Sequence, residues 1–360
     1  MDAGTLELDP GFIDREDIVA RLHFLEDMES RWPYSPAKDT PLADRIARCL
    51  TLLPNEHRSF ALAAFANVVY LPTSLLTESW EYLAHVAAEG EGLSVGELIE
   101  SAHFLEVDES GLVVDFLHEN GVHGRLDTDR FSRLQTIDDL ARALLIVGND
   151  EANYKAVAKE IQLAFAKRYW LVLTDNALSG TSLKSDLERC RRLIHAYSEL
   201  GEPRVVPIVQ VLTSTAERNL ADEWPVVSAL RFDERFKIEA GNKSCTLFSS
   251  METLEGVVEL SRWLASQEYF QNDDRLLSTI DKSGDDMALG FKGGGWTLVT
   301  PNCPTNSLPI LWYVQDGFYE GPFPRIMSRT SQVKGTGGGL TDAAEAMAPE
   351  ILARIEATCG

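Results

Sequence analysis

Between Ala152 and Phe232 the chain alternates helix-patterned and strand-patterned stretches, and this alternation limits the fold more than any other feature. Residues 152–168 predict a helix, with Lys167 and Arg168 placed well for its C-terminal dipole. Tyr169 to Leu173 is an apolar run of strand length. A second helix is marked by Leu183, Leu187, Cys190, Leu193, Ile194 and Tyr197, and it ends at Leu200-Gly201. Val205 to Leu212 predicts a strand, 215–222 a short helix and Val226 to Phe232 a third strand. Buried apolar strands separated by helices are the pattern of a parallel sheet covered on both faces. The expected fold class is therefore α/β, a mainly parallel sheet flanked by helices.

The upstream sequence reads as helical from residue 11 to about 103. Apolar faces recur at Ile18, Leu22, Leu25 and at Ile46, Leu50, Leu53. Asn55 and Ser94 are candidate helix caps, and Gly90 a stop. Leu112 to Leu117 predicts a strand, and Glu119-Asn-Gly121 a turn. A further helix spans Ile137 to Val147, with Asn149 or Asp150 as the cap of the next. Leu254 to Ser266 predicts a helix, Trp296 to Thr300 and Ile310 to Val314 strands, and Thr341 to Thr358 one terminal helix after a glycine-rich linker at 335–339. The expected organisation is a helical N-terminal domain over 1–104, the α/β domain over 105–334, and the linker with its helix over 335–360.

Bulk composition narrows the function. Hydrophobic residues are 44% of 360, enough for a sizeable core. No apolar run approaches the ~20 residues of a membrane helix, and the first ten residues lack a basic-then-apolar signal, so no membrane role is expected. Five scattered cysteines without a CxxC argue against a disulfide framework or a zinc site and suggest the cytoplasm. A formal charge of −23 disfavours a broad nucleic-acid surface. The acidic helical region is a candidate surface for a protein partner.

Chemistry concentrates at Thr174-Asp-Asn-Ala-Leu-Ser-Gly-Thr-Ser182. Asp175 falls at the carboxyl end of a predicted strand, where open parallel sheets bind ligands. The turn then leads into a helix whose first backbone N–H groups lack intrahelical acceptors and suit a phosphate. Ser179, Thr181 and Ser182 add hydroxyls, and Gly180 permits close backbone approach. Asp175 would repel a phosphate, so it suits sugar hydroxyls or a divalent cation such as magnesium. The same residues are also ordinary capping chemistry for a strand-to-helix turn.

The pattern Thr174-Asp175, three residues, Ser179-Gly180, one residue, Ser182 resembles the ribose-5-phosphate loop of type I phosphoribosyltransferases. Thr174 stands where that family has its first acid. Thr300 to Trp312, followed by Gly321-Pro-Phe-Pro-Arg325, is similar to a segment in a divergent branch found in bacterial conflict (anti-phage) systems, whose members also carry a helical N-terminal region. The resemblance implies binding of a ribose 5-phosphate ligand such as phosphoribosyl diphosphate at Asp175, Ser179, Gly180, Thr181 and Ser182, with magnesium at Asp175. It also implies transfer at ribose C1, or a non-catalytic sensor or scaffold that keeps the ligand. Thr174 favours binding over turnover. No general base is assignable, and His118 to Arg125 is the one candidate pyrophosphate loop.

Other features have plainer readings. His118 and His123 flank Glu119 without a common metal-ligand spacing. Gly335 to Gly339 lacks the lysine of a P-loop. Arg189, Arg191 and Arg192 predict a solvated face, or a contact to an acidic partner, Asp285-Asp286 a surface turn, and the tryptophans, Trp312 included, core or interface anchors. Asn302, Asn306 and Pro309 would shape a loop bordering the pocket, and Cys303 has no base nearby in sequence.

Overall fold

A computed structural model of the chain describes residues 20–25, 27, 40–107, 111–122, 133–149, 154–220, 223–273, 288–290, 294–299, 307–315, 318–323 and 337–359. By packing, the chain forms two compact units that interleave along the sequence: 1–75 with 232–332, and 76–231 with 333–360. The expected division at 104 and 334 follows chain order, whereas these units follow contacts.

The first unit opens with α1 (Leu42–Leu52), α2 (Asn55–Ala66) and the short strand β1 (Val69–Tyr70). Pro41 and Pro54, both extended, hold the N-cap positions of α1 and α2, so Asn55 is the first helical residue rather than the cap.

In the second unit, α3 (Thr73–Gly90) is followed by α4 (Val95–Ser101). Ser94 starts α4 with a reciprocal capping box to Glu97. The chain passes directly into β2 (Ala102–Glu106), a strand where the sequence suggests continued helix, then α5 (Leu112–Glu119). α5 corrects the strand expected at Leu112 to Leu117. Its apolar residues sit at helical spacing, with Leu112, Val113, Phe116 and Leu117 buried and Val114 exposed. Then come α6 (Ile137–Gly148), α7 (Tyr154–Phe165), β3 (Tyr169–Ala177), α8 (Thr181–Ala196), β4 (Arg204–Thr213), α9 (Ser214–Leu220) and β5 (Val227–Phe232).

The chain returns to the first unit with α10 (Met251–Ser266), α11 (Glu268–Gln271), β6 (Leu298–Val299), α12 (Pro309–Trp312), β7 (Val314–Gln315) and β8 (Tyr319–Glu320). β1 pairs with β6 in parallel. Ile310 to Val314 is thus a helical turn opening at Pro309, running into an edge strand. Pro309 to Trp312 are buried, and the Trp312 indole N–H donates to the Ser307 carbonyl at 2.9 Å, so Trp312 is a core anchor. Two helices, α13 (Gly337–Ala346) and α14 (Ala348–Cys359), close the second unit. The expected single helix is interrupted at Met347, and Gly337 to Gly339 lie inside α13 rather than in a linker.

The sheet of the second unit runs β2-β3-β4-β5, with β2 and β4 both parallel to β3. Side chains of β3 alternate between two cores. Trp170 and Val172 join a cluster with residues of α6, α7, α8, α13 and α14. Tyr169, Leu171 and Leu173 join one with α3, α4 and α5. Helices thus cover both faces, which is why β3 reads as an unbroken apolar run. The α/β expectation, with helices preceding the sheet, holds.

Candidate functional site

The carboxyl ends of β2, β3 and β4 lie side by side. Leu173 pairs with Glu106 on one neighbour, and Asn176 with Val211 on the other. Each of these strands runs into a helix, so three strand-to-helix turns open at one edge.

At the β3 turn, Thr174 is 3% exposed and its hydroxyl donates to the Asn176 carbonyl at 3.2 Å. Asp175 is half-buried, and one of its carboxylate oxygens accepts from the Asn176 N–H at 2.7 Å. Asp175 is therefore the carboxylate this loop presents, and Thr174 is occupied in holding the turn.

The rest of the loop is fastened to the β4 turn. Thr213 donates its hydroxyl to the Leu178 carbonyl at 2.6 Å and accepts from the Ala216 N–H at 3.2 Å. The Asn219 side-chain amide donates to the Ser179 carbonyl at 2.8 Å. Gly180 is left-handed (φ +73) at the N-cap of α8. A Cβ there would meet Ala216 Cα at 3.1 Å and Ala216 O at 3.2 Å, so glycine answers both the dihedral and the packing. The Ser179 hydroxyl accepts from the Thr181 N–H at 3.4 Å, which is the capping role open to it from sequence. Thr181 is half-buried and Ser182 exposed. The N–H groups of the first turn of α8, Ser182 and Leu183 among them, lie too early for an intrahelical acceptor.

At the β2 turn, Glu106 is 8% exposed, and its carboxylate accepts from the Gly111 and Val113 N–H groups, each at 3.3 Å. Sequence reasoning missed this turn because it missed β2. The visible signal was a glycine ahead of an apolar helical run with an acid five residues before it.

Of the candidate loop His118 to Arg125, the described part, 118–122, is a helix end. His118 and Glu119 end α5, and Gly121 and Val122 donate back to the His118 and Leu117 carbonyls. That is the negative end of a helix dipole, which disfavours phosphate; residues 123–125 lie outside the described residues. The arginine face is solvated at Arg191 and partly at Arg192, and the expectation is corrected at Arg189. Arg189 is buried, with ion pairs to Asp138 and Asp186 and a 2.9 Å bond to the Thr341 hydroxyl. Arg192 pairs with Asp342 and Glu345, and Arg191 with Glu223. Arg189 and Arg192 thus tie α8 to α13. Asn302, Cys303, Asn306, Asp285 and Asp286 lie outside the described residues.

Among the described residues, no group of three or more His, Cys, Asp or Glu is placed to hold a metal ion. Magnesium fits this turn only as an ion carried largely by its ligand. Asp175 offers one protein carboxylate, and phosphate oxygens and water would complete the octahedron. No described helix is long and apolar enough to cross a membrane.

No curated protein and no solved structure matches the chain at a significant level. A family model described as PRTase-CE matches residues 91–325, more than half of the chain and the whole of the sheet with its three turns. The chain belongs to this phosphoribosyltransferase-like family.

Proposed function

We propose that this protein binds a phosphorylated ribose at Asp175 to Ser182, and that binding rather than turnover is its principal activity. The observation that carries the reading is the turn itself: a half-buried carboxylate at the end of β3, then a left-handed glycine opening the 16-residue helix α8. In this reading the phosphate accepts from the first N–H groups of α8 and from the hydroxyls of Ser179, Thr181 and Ser182. Gly180, with its missing Cβ packed against Ala216, sets the left-handed turn from which these groups project. Asp175, one turn of chain away, accepts from the ribose hydroxyls, a place where its charge attracts donors instead of opposing the phosphate. A magnesium ion borne by the ligand would complete its shell at Asp175 and screen the phosphates.

The preference for binding rests on Thr174. Its hydroxyl serves the Asn176 carbonyl, so the turn offers a single carboxylate. Phosphoribosyl transfer is the second reading, favoured by membership in the family. A role in a bacterial conflict system rests on the likeness of 300–325 to that branch.

Calorimetric titration with ribose 5-phosphate, with and without magnesium, tests the proposal. The expected result is saturable binding that Asp175→Asn weakens at least tenfold while the melting temperature is kept. Unchanged affinity in that variant would remove Asp175 from the site. Diphosphate release from phosphoribosyl diphosphate, across a panel of bases and amines, would establish transfer instead.

A further inference from the structure

The first turn of α8 carries a cation where a helix is least suited to one. Thr181, Ser182, Leu183 and Lys184 make up that turn, which holds no acid. The partial positive charge of a helix N-terminus favours acids there and opposes a lysine. The Lys184 backbone N–H donates to the Gly180 carbonyl at 2.9 Å, so the residue stands one turn beyond the glycine that opens the helix. Residues three apart share a helix face, and helical side chains lean toward the N-terminus. Lys184 is therefore a neighbour of Thr181, with its stem leaning toward the phosphate turn.

The contact that holds this lysine is weak. Its Nζ lies 3.8 Å from Glu223 Oε1, with the two side chains 38% and 43% exposed. A pair that long and that open contributes little. The other carboxylate oxygen of Glu223 accepts from Arg191 at 3.1 Å, and the Arg191 guanidinium also sits 5.7 Å over the centre of the Trp224 ring. Glu223 is thus shared by two cations, and Arg191 is the better anchored of them. It keeps a charged partner when Lys184 leaves.

We propose that Lys184 is a further binding residue of the ribose-phosphate site, held by Glu223 and handed to the 5-phosphate when the ligand arrives. The inference rests on the ribose-phosphate reading above. The N–H groups and hydroxyls of the turn are directional donors without a full charge, and Lys184 supplies one. A lysine suits the hand-over because its flexible stem carries a point charge that needs no fixed fork of donors. Moving it gives up one long, solvent-screened contact and gains a charge-assisted hydrogen bond to phosphate.

The experiment is calorimetric titration of the full chain and its variants with ribose 5-phosphate, each variant checked by thermal melting. Lys184→Gln is expected to weaken binding at least tenfold, the scale of a hydrogen bond between charged groups. Lys184→Arg, which keeps the charge, is expected to retain most of the affinity and guards against a folding artefact. Glu223→Gln releases the lysine and is expected to tighten binding at least twofold. Arg191→Gln leaves Glu223 to Lys184 alone and is expected to weaken binding at least twofold. Removing an acid near an anion site tightens binding in general, so the deciding variant is Lys184→Gln combined with Glu223→Gln. The hand-over predicts that this double variant binds as Lys184→Gln does. Unchanged affinity in Lys184→Gln, or tightening by Glu223→Gln that persists without the lysine, overturns the inference and leaves the ribose-phosphate reading intact. A wild type that does not bind ribose 5-phosphate sinks that reading, and this inference with it.

Discussion

Replacing Gly180 by alanine separates two effects that the structure combines at one residue. The first is backbone strain. At φ +73 an alanine costs roughly 1–2 kcal/mol. The second is crowding. The new methyl would lie 3.1 Å from Ala216 Cα and 3.2 Å from both Ala216 Cβ and O. Ala216 is fully buried, and its N–H is bound to the Thr213 hydroxyl, so it yields with difficulty. Overpacking of this kind costs about 1–3 kcal/mol. The sum is about 3 kcal/mol, or a fall of roughly 6–12 °C in melting temperature for a unit of this size. Gly92 is the internal control: it has φ +69 in the same unit, and a methyl added there would meet nothing within 4 Å. Gly92→Ala should therefore lose only the strain, about 1–2 kcal/mol. Paired urea melts followed by circular dichroism measure the difference. If both variants lose the same stability, the contact between the two turns is not tight, and the claim that β4 fixes the phosphate turn is refuted.

Other perturbations test the same account. Thr174→Asp should not create a working acid pair. It would aim a buried carboxylate at the Asn176 carbonyl and cost about 2–4 kcal/mol; a variant as stable as the wild type would contradict the role given to Thr174. Arg189→Ala should cost roughly 3 kcal/mol by leaving Asp138 and Asp186 without their cation. In that variant limited proteolysis should cut α13 early, and an unchanged digestion pattern would deny the clamp. His103 is buried against Trp170, and burial pulls its pKa down to about 3 from 6.5, with the Lys167 charge adding to the effect. A depressed histidine gives stability that is fully present above 6.5 and is lost as pH falls toward 3. One proton is worth ~1.4 kcal/mol per pH unit in this window, so the loss by pH 4.5 is about 2–3 kcal/mol. Urea melts of His103→Gln should show a correspondingly flatter acid limb between pH 6.5 and 4.5; equal slopes would contradict this.

Much of the sheet was legible in sequence: burial on both faces turns β3 and β4 into apolar runs, and the partly buried β5 carries an apolar stretch of its own. Tyr169–Ala177, Arg204–Thr213 and Val227–Phe232 match the runs read there to within a few residues at each end. β2 was not legible. It is five residues long and follows α4 with no glycine or proline between them, so nothing marks the change from one period to the other. α5 was read as a strand because Leu112-Val-Val114 is rich in β-branched residues. Only the tertiary structure shows Val114 outside and Phe116 inside. These two errors hid one turn, and with it Glu106. The phosphate turn was legible for the opposite reason: its chemistry is carried by residues next to one another in sequence. What sequence cannot supply there is the partner across the gap, the Thr213, Ala216 and Asn219 set that holds Leu178, Ser179 and Gly180 in place. Likewise, Arg189 and Arg192 look like a solvated face until α13, some 150 residues later, covers it.

The most direct test of the central claim is a crystal structure of the chain with ribose 5-phosphate. The account predicts the phosphate within hydrogen-bonding distance of the Ser182 and Leu183 N–H groups, with ribose hydroxyls on Asp175. A saturating ligand bound elsewhere, or a first turn of α8 left vacant in its presence, would contradict it.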